Sequence, residues 1–211
     1  MLVATYNVRH CRGLDDRVDV QRVAEAIAAT GAELVALQEV DRNLPRSGRV
    51  DQPAELARLT GLSVWFGPTL AFSGGEFGLA LATAEPVEAY LVALPRLGAE
   101  EPRKLIRARW QGFEVAAVHL SNRRRSRRPQ LAALADLATS LPGPALVLGD
   151  FNAGHLTVAR ALRGFSLSPR RNTLRWRALD HVAVRGACIA GAHTVASRAS
   201  DHLPLVAEVE R

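Results

Sequence analysis

Two short stretches of the chain carry residues suited to chemistry: Gly149-Asp150-Phe151-Asn152 and Ser200-Asp201-His202. Each sets two hydrogen-bonding or metal-binding side chains next to each other or two residues apart. The apolar run Ala145-Leu146-Val147-Leu148 leads straight into the first pair. A buried strand that ends this way aims a carboxylate and a carboxamide at whatever lies beyond the sheet edge. Carboxylate and carboxamide oxygens suit a hard cation such as Mg²⁺. A neighbouring imidazole adds proton transfer. Alone, Asp-Phe-Asn is more often a polar turn after a strand, so the rest of the chain has to decide.

The same device recurs. Thr5-Tyr6-Asn7-Val8-Arg9, Leu37-Gln38-Glu39-Val40-Asp41, Ala117-Val118-His119-Leu120-Ser121-Asn122 and Leu179-Asp180-His181-Val182 all put polar residues at an end of an apolar segment. The elements that position them are read from periodicity and breakers. Strands are expected at 2–7, 33–38, 62–66, 77–83, 87–94, 145–148, 181–184, 187–195 and 204–209. A further pair, 103–110 and 113–120, flanks the hairpin turn Gln111-Gly112. Helices are expected at 19–29, 52–59, 129–140 and 155–162. Hairpins imply antiparallel pairing, and strand–helix–strand units add parallel pairs. Several strands are apolar throughout, which points to two sheets packed face to face with helices on the outside.

Composition narrows the class. At 211 residues, with 48% hydrophobic and 23% charged residues, the chain is long enough for one domain with a full core. No apolar run approaches the roughly 20 residues of a membrane span. The first residues read at once as a strand, with no leader sequence, and a cytoplasmic location is expected. Cys11 and Cys188 are far apart and are expected to be free thiols. The net charge of +6 favours polyanionic partners, although arginine-rich, alanine-rich composition weakens that signal.

Taken jointly, the Gln-Glu-Val, His-Leu, Gly-Asp-Phe-Asn and Ser-Asp-His motifs resemble those of the endonuclease/exonuclease/phosphatase superfamily, the metal-dependent phosphoesterases related to deoxyribonuclease I. The likeness covers essentially the whole chain. It implies an α/β (α+β) fold, a four-layer α/β/β/α sandwich of two mixed, mostly antiparallel sheets, with 1–211 as one catalytic domain. It implies Mg²⁺ as cofactor, with Mn²⁺ as the alternative ion. By resemblance, Glu39 is the principal metal ligand, with Asn7 beside it and Asp201 also serving the metal. Asp150 orients or activates the attacking water, and Asn152 donates an amide N–H to the phosphoryl oxygen. His202 contacts or protonates the phosphate, with Asp180 orienting it, and His119 is a second phosphate-contacting or acid–base group. Glu76 is the candidate to orient His119, and Arg103 the candidate to reach a substrate phosphate. His10, His155, His181 and His193 read as ordinary histidines.

The run Arg123-Arg124-Arg125-Ser126-Arg127-Arg128 is either a phosphate-steering patch or a solvated loop leading into the 129–140 helix. Two departures stand out. Arg9 occupies a position that is usually acidic in abasic-site endonucleases, which weakens an abasic-site repair reading. Gly78 to Ala84 carries apolar or small residues where many members carry polar ones. The expected activity is Mg²⁺-dependent hydrolysis of phosphodiesters, nucleic acid being the favoured substrate and a monomer the favoured state. A phospholipid or inositol-phosphate substrate is the alternative, and a non-catalytic phosphate-binding module on the same fold is the rival from another class.

Overall fold

A computed structural model describes residues 1–211. Twelve strands form two six-stranded sheets. The first has the order β11(Cys188–Thr194)-β12(Leu205–Glu210)-β1(Leu2–Asn7)-β2(Leu34–Arg42)-β4(Gly75–Thr83)-β3(Ser63–Phe72). The second has the order β5(Ala89–Ala93)-β6(Lys104–Trp110)-β7(Phe113–His119)-β8(Ala145–Asp150)-β10(Asp180–Arg185)-β9(Ser166–Leu167). Each sheet has one parallel pair at its centre, β1–β2 and β7–β8, and is otherwise antiparallel. Parallel neighbours need a crossover, and α1(Val20–Ala28) and α3(Arg124–Ser140) supply it. The remaining helices are α2(Gln52–Thr60) and α4(His155–Ala161).

Three apolar clusters define four layers. The first holds Val3, Leu34 and Leu205 of one sheet together with Ile106, Val115, Leu148 and Val182 of the other, so it lies between the sheets. The second joins the outer face of the first sheet (Ala4, Tyr6, Val35, Leu37) to Val23 and Ile27 of α1 and Leu56 of α2. The third joins Ala116, Val118 and Val147 to Leu131 and Leu134 of α3 and Val158 of α4. This is the expected α/β/β/α sandwich. Strands apolar on both faces are buried on both faces, which explains their unbroken hydrophobic runs.

The hairpin turn is as read: Gln111 and Gly112 both take positive φ, 45° and 77°, as a two-residue type I′ turn requires. Three boundaries differ from expectation. Helix α3 begins at Arg124, so the arginine run is its opening turns and Pro129 lies inside it. Strand β2 continues past Gln38 to Arg42, and β3 past Phe66 to Phe72. The two-residue strand β9 is too short to leave a periodic signal. Both cysteines are free, Cys11 buried and Cys188 exposed.

Candidate active site

The site is the polar end of the core between the sheets. Side chains alternate faces along a strand, so residues two apart share the inner face. Strand β7 reads inward Phe113, Val115, Ala117, then His119; β8 reads Leu146, Leu148, then Asp150; β10, running the other way, reads Val184, Val182, then Asp180. Register aligns the polar ends: His119 is opposite Asp150 in the parallel pair, and Asp150 is opposite Asp180 in the antiparallel one. The facing sheet repeats the pattern, with Val3, Thr5, Asn7 on β1 and Leu34, Ala36, Gln38 on β2. Burial makes the polar end costly, so its groups must satisfy each other.

Glu39 enters the site by a break in the pattern. The β2–β4 register slips between Leu37 and Val40, and Glu39 takes φ +61°. A bulge re-aims a side chain, and a non-glycine residue held at positive φ stores strain, a combination that favours functional positions. Glu39 Oε1 accepts from Asn7 Nδ2 at 3.0 Å, and the same nitrogen donates to Asp150 Oδ2 at 3.2 Å. Asn7 Oδ1 accepts the Arg9 backbone N–H at 3.0 Å, which fixes the amide orientation. Behind these, buried Gln38 accepts from Thr5 Oγ1 at 3.2 Å and donates to Ala36 O at 3.1 Å. Asn152 closes the β8 end: its backbone N–H reaches Asp150 Oδ1 at 2.8 Å and its Nδ2 reaches Leu120 O at 2.9 Å.

Two imidazoles converge on one carboxylate oxygen. His119 Nε2 lies 3.6 Å and His202 Nε2 4.0 Å from Asp150 Oδ2. Their electrostatic settings are opposite. Arg103 Nη1 sits 2.8 Å from His119 Nδ1. A guanidinium only donates, so Nδ1 accepts and the proton of a neutral His119 is on Nε2, inside the site. Burial, then the Arg103 and His202 charges, hold His119 well below the ordinary imidazole range. His202 Nδ1 pairs with Asp180 Oδ2 at 2.8 Å. Burial pulls His202 down, but the Asp180 charge and hydrogen bond outweigh it and raise the imidazole to about 10. His119 is therefore a neutral donor and His202 a cation. Replacing Arg103 with alanine will raise the His119 pKa, because a repelling charge goes while burial stays. An NMR titration of the His119 ring checks this, and an unmoved titration would show that Arg103 does not hold the ring neutral.

The carboxylates are crowded. Burial and then the Asp180 charge raise Asp150 to about 7. Burial also raises Glu39. Asp180 Oδ1 is buried with no hydrogen-bond partner. Asp150, Asp180 and His202 offer ligand atoms within 4.8 Å of one another, a group that could hold a metal ion. An oxygen-rich, buried, under-neutralised set fits a divalent cation. His202, charged beside Asp180, carries a proton on Nε2 and has no lone pair for such an ion, whereas Glu39 and Asp150 already turn oxygens toward the same Asn7 nitrogen.

The profile of the Endonuclease/Exonuclease/phosphatase family matches residues 4–202. The chain belongs to this family. Family members are hydrolytic phosphoesterases, and the chain is an enzyme of that class. Comparison with curated proteins gives no match. Among solved structures, an endonuclease/exonuclease/phosphatase from Beutenbergia cavernae DSM 12333 superposes with TM-score 0.83 at 23% identity, over 100% of this chain and 71% of that one. A Bacteroides thetaiotaomicron VPI-5482 mannosyl-6-phosphatase gives 0.72 at 16% identity, over 100% of both chains. The human Nocturnin catalytic domain with bound sulfate gives 0.71 at 20% identity, over 100% and 93%. At these identities the likeness is one of fold.

In this family member the structure brings together Asn7, Glu39, His119, Asp150, Asn152, Asp180 and His202. Asp201 is at their edge, 3.9 Å from Arg9 Nε. Asn7 turns its N–H₂, not its oxygen, to the carboxylates, and Asn152 spends an amide hydrogen on Leu120 O. Glu76 does not orient His119. It is the cross-strand partner of Arg42, whose guanidinium takes its carboxylate. The group on His119 Nδ1 is Arg103, which stands behind the imidazole and 3.4 Å from Glu101 Oε1. His181 faces the other way as expected, buried, with Nε2 2.9 Å from Ala153 O. Sequence reasoning missed the segment Leu174 to Arg177. Together with Arg9, Leu14, Ser200 and Asp201 it lines a cleft of about 740 Å³ beside the catalytic cluster. Its signal was visible as a tryptophan between two arginines just ahead of Asp180. No helix is long and apolar enough to cross a membrane.

Proposed function

We propose that the protein is a Mg²⁺-dependent phosphodiesterase acting on nucleic acid, with residues 1–211 as one catalytic unit. The observation that carries this reading is the pair of imidazoles, one neutral and one cationic, aimed at a single buried carboxylate oxygen. Environments that push two like groups apart in pKa mark an acid and its counterpart. Asp150, raised to about 7 by burial, accepts the proton of the attacking water. His119 donates Nε2–H to a phosphoryl oxygen as charge develops there. His202, held charged by Asp180, contacts the phosphate and protonates the departing oxygen. Glu39 would be the principal ligand for Mg²⁺, with Asn7 and Asp201 beside it. Mg²⁺ bound there neutralises phosphoryl charge and stabilises the leaving oxygen.

The basic balance and the arginine-rich rim support a nucleic acid substrate. A phospholipid or inositol-phosphate head group is the second reading. Exposed Leu14, Leu156 and Trp176 edge the site's clefts, and Trp176 is 71% exposed. Apolar residues mixed with arginines suit a membrane interface as well as stacked bases. The test is Mg²⁺-dependent hydrolysis of bis-p-nitrophenyl phosphate by the wild type, Glu39→Ala and His202→Ala. Each variant is expected to lose about 10²-fold or more in kcat. Equal turnover in all three would sink the assigned roles. A panel of DNA, RNA, sphingomyelin and inositol phosphates then ranks the two readings.

A further inference from the structure

The rim next to Asn152 carries charge that the protein does not neutralise. Arg123 pairs with Glu100 at 3.5 Å, and Arg103 with Glu101. Arg124, Arg127 and Arg177 form no ion pair with any carboxylate. Two of them stand on segments at either side of the catalytic edge. Arg127 stands in the opening turns of α3, directly after the β7 end, and Arg177 in the turn directly before β10. Strand β8 lies between β7 and β10, whose ends are about 10 Å apart, so the segments that carry the two arginines leave the sheet on either side of the Asp150–Asn152 end. The three loops are tied together: Asn152 Nδ2 donates to Leu120 O at 2.9 Å on one side, and Phe151 N to Leu179 O at 2.9 Å on the other.

The two guanidinium groups are also placed differently. Arg127 Nη1 donates to Ser121 O at 3.3 Å and Asn122 O at 2.9 Å, which anchors the group over the edge and leaves its other nitrogens free. Arg177 is exposed and its side chain makes no hydrogen bond. Burial, then the like charges of Arg177 and Arg124, lower the Arg127 pKa, while Asp150 acts in the other direction. These charges therefore lie within one another's field. Cations in the first turn of α3 also oppose its dipole. Crowded cations with free donors and no counter-charge are relieved by an anion.

We propose that Arg127 and Arg177 form a second anion subsite beside the reactive centre, which holds a further phosphate group of the same substrate molecule. The enzyme then selects substrates carrying two or more phosphates over those carrying one. This rests on the phosphoesterase reading of the Asp150 site. The second phosphate has two possible sources, the neighbouring phosphate of a nucleic-acid strand or a second phosphate on an inositol ring.

The experiment uses two ligand pairs: thymidine dinucleotide with and without a 5′-phosphate, and inositol 1,4-bisphosphate beside inositol 1-phosphate. Binding is measured in chelator, and kcat/KM with Mg²⁺, for the wild type, Arg177→Ala and Arg177→Lys. The wild type is expected to favour the doubly phosphorylated partner of one pair by roughly ten- to a hundred-fold, the scale of a charge-assisted hydrogen bond. In Arg177→Ala that ratio falls close to one, and Arg177→Lys keeps part of it. The pair that shows the preference names the source. No preference in the wild type, or an unchanged ratio in Arg177→Ala, overturns the subsite. A binding ratio that depends on Arg177 without turnover of any phosphoester would remove the catalytic reading and leave the subsite standing. Turnover without such a ratio would do the reverse.

Discussion

Replacing Asp150 with asparagine will lower kcat by about 10²- to 10⁴-fold, the range spanned by loss of a positioned proton acceptor. The substitution keeps the shape, so the fold persists while the chemistry goes. Asp150 Oδ1 takes the Asn152 N–H, and Oδ2 faces donors from Asn7 and His119. An amide presents one oxygen and one N–H₂, so one of these sides must meet a donor with a donor. A second readout separates this effect from unfolding. The wild-type carboxyl is raised to about 7 in the folded chain, against 3.8 ordinarily. The folded state thus binds its proton more tightly, and ionisation costs stability. That cost is absent below the ordinary value, grows as pH rises between about 4 and 7, and stays constant above. Thermal melts in chelator should show the variant gaining on the wild type across that window. Parallel melting curves would show that burial does not raise Asp150.

How much of this could be read from the chain depends on whether a residue obeys its strand. Asn7, His119, Asp150 and Asp180 were legible because each continues an inner-face alternation of period two, at a point where the apolar series turns polar. The sandwich was legible for the same reason, since strands apolar on both faces demand cover on both. Glu39 follows different logic. It sits where β2 slips register, and a bulge depends on partners that only the folded sheet supplies. The place of Arg103 beside His119 was not legible, because the hairpin register pairs Leu105 with Val118 and so sets Lys104, not Arg103, opposite His119, and Arg103 reaches the imidazole from just outside β6. Glu76 was misread because β2 runs on to Arg42, which claims it across the strands. Trp176 and its flanking arginines lie between elements, where no periodicity speaks, and their role follows from the place of the loop before β10. Pro129 misplaced the start of α3: proline favours a first turn, yet it is accommodated further in, and the arginines before it become helix.

Gly149→Ala should be the most damaging single methyl in the protein. Gly149 takes φ +146°, a backbone region that a side chain strains. A Cβ there would lie 2.0 Å from Val118 O, and a carbonyl in a sheet cannot swing aside. The parallel β7–β8 pair has to open at Val118–Gly149, one residue before His119 and Asp150, which are opposite each other in the next rung. Loss of stability on the order of 3 kcal/mol or more follows from strain added to the broken ladder. Activity should fall even at temperatures where the variant stays folded, because displacement of about 1 Å at reacting groups is enough to cost roughly 10²-fold. Gly191→Ala is the control, since a Cβ at that position meets no atom within 4 Å. Denaturant melts and kcat measured on both variants decide the matter. If Gly149→Ala behaves like Gly191→Ala, close packing of β7 on β8 is not what holds His119 against Asp150.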